Sequence, residues 1–300
     1  MDNILAPRFI DPVAARKHLE ALRWPNGAEC PHCNLIDATP LKGKKHREGV
    51  YQCNNCREQF TVTVGTVFER SKVPLNKWLL CNHLLVSSKK GISAHQIHRM
   101  LGVTYKTAWF MCHRLREAMK PSDNGPMGGT DKFVEVDETF VGGSRSNQKV
   151  RTVAPKKAVV CLVERGGHAR SFHVANVNAS NIRPLIVTHV DRSSHLRTDG
   201  APFYKNVGRE FATHGAIDHR FEYVRGDTHS NTVENFFSIF KRGVIGTYHH
   251  MSECHLHRYT AEFDFRYNTR ADTDTVRADK ALIGIAGKRL TYRRTNALAA

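Results

Sequence analysis

Lys132-Phe-Val-Glu-Val-Asp137 is the stretch that decides the fold class. Its apolar residues alternate as in a half-buried β-strand, and Asp137 falls where that strand leaves the core. Downstream, Lys157-Ala-Val-Val-Cys-Leu-Val163 reads as a central strand and Ala169-Arg-Ser-Phe-His-Val174 as its hairpin partner. His195-Leu-Arg-Thr-Asp199 is a third short strand, ended by Gly200. Between and after these, residues 182–190, 231–241 and 252–267 carry helical patterns, the first despite Pro184. Strands interleaved with helices predict an α/β domain over residues 132–272.

Three acids in this region attract attention because the chain is otherwise basic. Asp137 and Asp199 each close a strand. Glu234 lies in a helix whose Val233, Phe236, Phe237 and Phe240 form an apolar side, so these phenylalanines are expected in the core. Helical geometry puts residues 231, 234, 238 and 241 on one face, which lets Asn231, Glu234 and Lys241 point at a common site. Two strand carboxylates and one helix carboxylate can clamp a pair of Mg²⁺ ions, or Mn²⁺ in their place, for phosphoryl transfer. In that scheme Asp137, Asp199 and Glu234 are the metal ligands, Asn231 is an outer or alternative ligand, and Lys241 holds a phosphate. Arg242, its neighbour, is expected to contact DNA. If the strand continues past Asp137, Glu138 points to the opposite face, and it is read as supporting. A cluster of His249, His250, His255 and His257 follows the helix, with spacing that fits no closed zinc pattern.

Upstream, Pro121-Ser-Asp-Asn-Gly-Pro-Met-Gly-Gly129 has the composition of a linker, assigned to residues 121–131. Residues 73–120 are helical throughout. Within them, Ser93-Ala-His-Gln-Ile-His-Arg-Met-Leu-Gly-Val-Thr-Tyr-Lys-Thr-Ala-Trp109 reads as a helix-turn-helix, with Ser93 and Thr104 as caps. The second helix would offer Tyr105, Lys106 and Thr107 to DNA, with Arg114 further along. Residues 24–72 hold Cys30-Pro-His-Cys33 and Cys53-Asn-Asn-Cys56, two CxxC turns 19 residues apart. Four thiolates so arranged give Zn²⁺ a closed tetrahedral shell, so one structural zinc on Cys30, Cys33, Cys53 and Cys56 is expected. A redox pair or an iron–sulfur centre is the competing reading, and a redox motif would need a βαβ unit that this segment lacks. The basic run containing Lys44, Lys45 and Arg47 makes this ribbon a second DNA-contacting surface. A short helix precedes it within residues 1–23, and a basic, weakly patterned tail fills residues 273–300.

The whole chain of 300 residues carries 45 Lys and Arg against 28 Asp and Glu, a formal charge of +17. A polyanionic partner follows from that balance. The most apolar stretch, residues 73–86, is interrupted by Asn76, Lys77, Asn82 and His83, far from the about 18 apolar residues a membrane span requires. The first ten residues, MDNILAPRFI, have no basic start and apolar block, so a cytoplasmic, nucleoid-associated protein is expected.

Several blocks together resemble the insertion-sequence transposases that join an N-terminal zinc ribbon to a DDE-type domain. They are Val136-Asp-Glu-Thr-Phe-Val-Gly-Gly143, Arg197-Thr-Asp-Gly200 and His229-Ser-Asn-Thr-Val-Glu-Asn-Phe-Phe-Ser-Ile-Phe-Lys-Arg-Gly243. Gly246-Thr-Tyr-His-His250 and Glu262-Phe-Asp-Phe-Arg-Tyr-Asn-Thr-Arg270 are similar to that family as well. The resemblance implies an RNase H-like catalytic core, Mg²⁺-dependent strand cleavage and transfer, and recognition of terminal inverted repeats by the N-terminal region. It also implies double-stranded DNA as partner and a homo-oligomer in the synaptic complex. Asp137 and Asp199 match the first two catalytic acids, while the third position falls to Asn231 or Glu234 of an Asn-x-x-Glu pattern. Two other readings stay open: a DNA-binding regulator with an inactive core, and a nuclease that hydrolyses without joining.

Overall fold

Asp11 begins the first long helix by accepting the amides of Val13 and Ala14 on its carboxylate, and Pro12 presets the first turn. The computed structural model to which this contact belongs describes residues 4–43, 45–121, 125–142 and 156–291. The chain divides into two units, one built from residues up to 120 together with those from 272 onward, the other from residues 121–271.

In the first unit, α1 (Pro7–Ile10) and α2 (Pro12–Arg23) precede a small antiparallel sheet of β1 (Ala38–Pro40), β2 (Tyr51–Cys53) and β3 (Gln59–Phe60). Trp24 meets Tyr51 and Phe60 edge-on at 5.3 and 5.7 Å, which gives the ribbon an aromatic knot beside its cysteines. Three helices follow: α3 (Leu75–Ser87), α4 (Ala94–Leu101) and α5 (Tyr105–Ala118). Both expected caps are present, with Ser93 accepting the Gln96 amide and Thr104 the Thr107 amide. Gly102 at φ 58° makes the left-handed turn out of α4. Ala108, Met111, Leu115 and Ala118 are buried, as their helical spacing predicts.

The second unit is a five-stranded sheet in the order β6-β5-β4-β7-β8. Its strands are β4 (Phe133–Val141), β5 (Lys157–Glu164), β6 (Ala169–Val174), β7 (His195–Asp199) and β8 (Thr213–Ile217). The β4–β5 and β5–β6 pairs are antiparallel, and the β4–β7 and β7–β8 pairs are parallel. Helices cover both faces. On one, Ile182 and Ile186 of α6 (Ala179–His189) and Tyr204 and Val207 of α7 (Tyr204–Gly208) share a core with Val134, Val136 and Leu196. On the other, α8 (Asn231–Gly243) and α9 (Glu253–Asn268) place Val233, Phe236, Phe237, Phe240 and Phe263 against Val159, Cys161 and Val163. A π-helical turn, Val244–Tyr248, joins α8 to the loop before α9. Pairing of β4 with β7 ends at Val136 and Thr198. Beyond that point β4 continues beside β5 alone and β7 beside β8 alone, so the sheet splits at its middle.

Some of this departs from expectation. Met127, read as linker, is buried in the second unit, and its amide and carbonyl bond to His189 and Asp191. The stretch read as a weakly patterned tail contains α10 (Asp274–Ile283), which packs on α3 in the first unit. Small Ala278 and Ala281 supply much of its buried side, so charged Arg277 and Lys280 dominated the pattern. Among the described residues no helix is long and apolar enough to cross a membrane.

Candidate active site and zinc centre

The two cysteine turns of the first unit are built alike. Asn34 and Arg57, each next after a knuckle, donate their amides to the carbonyls of Cys30 and Cys53 and take left-handed φ values of 60° and 64°. The amides of Cys30 and Cys53 in turn bond to the carbonyls of Leu35 and Glu58. This repeated fold aims four sulfurs inward, all within 4.8 Å of one another. Cys30 Sγ lies 3.6 Å from Cys56 Sγ, and Cys33 Sγ 3.5 Å from Cys53 Sγ. A tetrahedral shell with Zn–S bonds of about 2.3 Å spaces its sulfurs about 3.8 Å apart, so the set fits one Zn²⁺. The Cys56 amide, directed at the Cys53 sulfur, draws that thiol down to about 7, toward the thiolate that binds metal.

A second ligand group forms where the central sheet splits. Carboxyl oxygens of Asp137, Glu138 and Asp199 lie within 4.8 Å of one another. Asp137 and Glu138 point to opposite faces of β4, as alternation requires. Both reach Asp199 because β7 no longer pairs with β4 there. Tyr204, wholly buried, donates its hydroxyl to Glu138 Oε2 at 2.6 Å. Asp137 Oδ1 accepts the Glu138 amide at 2.8 Å, and Asp199 Oδ1 accepts the Ala201 amide at 3.0 Å. Burial, followed by the charges of Glu138, Asp199 and Glu234, pushes the Asp137 carboxyl up to about 7. Burial raises Glu138 and Asp199 also. Carboxyls crowded in this way favour a divalent cation, which replaces their mutual repulsion with attraction.

Glu234 stands beside this group rather than in it. Its Oε1 lies 3.0 Å from His219 Nε2 and accepts the Ser230 hydroxyl at 3.0 Å. His219 bonds Ser230 as well, at 2.9 Å. Asn231, Glu234 and Lys241 are exposed along one side of α8, opposite its buried phenylalanines. The structure thus brings Asp137 and Asp199 together and leaves the α8 face with Asn231, Glu234 and Lys241 exposed beside them. Tyr204 and His219 reach Glu138 and Glu234 from outside the motifs that hold those acids, whereas Ser230 lies within the motif, four residues before Glu234.

Two family models match the chain: an ISXO2-like transposase domain over residues 127–268 and a transposase zinc-ribbon domain over residues 11–59. They cover the split sheet with its carboxyls and the ribbon with its thiols. The chain belongs to the insertion-sequence transposases. It is also 29% identical over 285 residues, 86% of this chain and 91% of the other, to an "Uncharacterized protein in transposable element ISH50" of Halobacterium salinarum.

The transposase exposes several of the basic residues singled out from its sequence. Lys45 and Arg47 are exposed on the ribbon, and Lys44 lies outside the described residues. Tyr105 and Lys106 are exposed at the start of α5, where Tyr105 stacks on His95 at 4.2 Å. Lys106, Thr107 and Arg114 line a groove of about 430 Å³ together with Arg70 and Lys72. Arg114 is half-buried there and donates to the carbonyls of Glu69 and Leu290, so it supports the groove wall. Arg242 is exposed on α8 and donates to Ser238. Among the described residues His249, His250, His255 and His257 form no metal-ligand group. Arg266 pairs with Glu262 inside the second unit, and Asp264 bonds to Ser171.

Proposed function

We propose that this transposase binds the terminal inverted repeats of its element, cleaves DNA strands there, and joins the freed ends to target DNA. The observation that carries the reading is the convergence of Asp137 and Asp199, with Glu138, at the split in the sheet. Mg²⁺, or Mn²⁺, bound there would supply Lewis acidity to the attacking water or 3′-hydroxyl and to the leaving oxygen. Asp137 and Asp199 are the shared ligands, and Glu138 completes the set from the α7 side of the sheet. Glu234 approaches Asp137 from the α8 side and is the third acid in preference to Asn231, because an anionic oxygen suits a hard cation better than an amide. Asn231 stays in the outer shell. Lys241 and Arg242 hold the phosphate backbone from the exposed side of α8.

The strand order, with three antiparallel strands followed by two parallel ones and helices on both faces, supports an RNase H-like core. The capped α4–α5 pair supports a helix-turn-helix in which Tyr105, Lys106 and Thr107 face DNA. The zinc ribbon, through Lys45 and Arg47, adds backbone contacts, and a homo-oligomer brings two element ends together in the cytoplasm. The test is a strand-transfer assay with Mg²⁺ and DNA carrying the element's ends. Asp137→Asn is expected to bind the ends as wild type does but to lose cleavage and joining by more than about a hundredfold, the upper range for outer-shell changes. Wild-type rates for Asp137→Asn would refute the reading.

A further inference from the structure

A carboxylate two residues ahead of Asp137 ties the two sides of the site together. Glu135 is fully buried on the β4 face that also carries Asp137. Its Oε2 accepts the main-chain amides of Thr232 at 2.8 Å and Val233 at 3.0 Å. Its Oε1 accepts the Thr232 hydroxyl at 2.9 Å and Arg165 Nε at 2.6 Å. These two amides belong to the first turn of α8, and Ser230, the residue at its N-cap position, makes no side-chain capping bond. Helices leave their first amides without internal partners, and a side-chain oxygen just ahead of the helix usually supplies one. Here the oxygen comes from the neighbouring strand, 97 residues away in sequence.

The loop into α8 is held by the same ion pair. Arg165 donates to the carbonyls of Asp227 at 2.8 Å and His229 at 2.9 Å, and Arg197 pairs with the Asp227 carboxylate at 2.9 Å. A buried carboxylate is stable only while its partners stay in place, so Glu135, Arg165 and the start of α8 form one unit. Asp137 stands two residues along the strand from this anchor, and Glu234 two residues along the helix from Thr232.

We infer that Glu135 is a positioning residue: it caps α8 from strand β4 and so sets the reach of Glu234 toward the Asp137–Asp199 pair. The inference rests on the reading that Glu234 serves the metal site. Glu135→Gln preserves size and one acceptor oxygen but turns an NH₂ group toward either Arg165 or the helix amides. Thr232→Val removes only the hydroxyl contact and serves if Glu135→Gln fails to fold. The measurements are hydrogen exchange across residues 228–240, Mn²⁺ affinity of the zinc-loaded full chain without DNA, and strand transfer at varied Mg²⁺.

For Glu135→Gln, faster exchange confined to the start of α8 is expected, with Mn²⁺ affinity about tenfold weaker, as outer-shell changes produce. Half-activating Mg²⁺ should rise by a similar factor, with strand transfer partly restored at high Mg²⁺. Thr232→Val should shift each quantity the same way by less. Unchanged exchange and Mn²⁺ affinity in the folded variants would overturn the inference, as would activity lost only in proportion to unfolded protein. A wild-type chain that binds Mn²⁺ yet joins no DNA would defeat the transposition reading alone, leaving exchange and Mn²⁺ affinity to judge the cap.

Discussion

The thiols of the ribbon meet because two turns with the same hydrogen bonds face each other, one ahead of the small sheet and one between its second and third strands, whereas the carboxyls of the second unit depend on residues 62 apart in sequence. All four cysteines named by spacing converge in the first case. In the second, Asp199 ends its strand as expected but Asp137 does not, since β4 runs on to Val141; the two converge with Glu138, and Glu234 stays with His219 and Ser230. A local turn writes its ligand geometry into consecutive residues. A site between strands and a helix is written in register and packing, which no short motif contains.

The largest expected difference between the two lies in their dependence on metal for folding. Zinc in a ribbon of this kind contributes on the order of 10 kcal/mol to its folding. Cys53→Ser should therefore reduce bound zinc from about one per chain to near zero, unfold the ribbon and abolish binding to element ends. Metal analysis together with circular dichroism checks this. The carboxylate site should behave otherwise, since the core clusters on both faces of its sheet fold it without a cation. Removing Mg²⁺ should leave its melting curve cooperative.

Next in size is the contrast between the two glutamates. Glu138→Gln removes an oxygen already in the group, and Glu234→Gln removes one that must be drawn in from His219. Both should raise the Mg²⁺ required for half-maximal strand transfer, by about tenfold or more. Glu234→Gln should in addition lower the rate at saturating Mg²⁺, while Glu138→Gln should recover most of it. Equal rates for Glu234→Gln and wild type at every Mg²⁺ concentration would make Glu138 the third ligand.

A smaller effect concerns pH. Burial raises the Asp264 carboxyl from 3.8 to about 7, even with Ser171 donating to it. The folded protein thus keeps a proton there that the unfolded chain has released. Stability is highest below the unfolded value and falls as pH rises through the window to about 7. Asp137 acts with the same sign while free of metal. Melting temperature should decline across this window, and Asp264→Asn should flatten part of the slope. An unchanged slope would place the titration elsewhere.

Much of this could be read from the residues alone. Strands β6 and β7 match the expected spans, and β5 runs one residue further, because alternating or continuous apolar runs bounded by turns announce them. The strand β8, Thr213–Ile217, leaves no clear pattern in the residues because it is half-exposed and includes His214 and Gly215. Helix α7 is only five residues long and offers no periodicity. Glu135 was visible as an acid inside an apolar strand. Its partners, Arg165 and the amides of Thr232 and Val233, were not, because backbone donors leave no trace in composition. The third acid stayed ambiguous for the same reason. Helical periodicity gives the face of α8 that Asn231 and Glu234 share, but not its distance from the sheet.

The most direct measurement is calorimetric titration of the zinc-loaded chain with Mn²⁺, in wild type and in Asp137→Asn and Asp199→Asn. Each substitution is expected to weaken Mn²⁺ binding by about a hundredfold while zinc content and fold stay intact. Binding equal to wild type in both variants would contradict the account, because the two aspartates would then hold no ion in common.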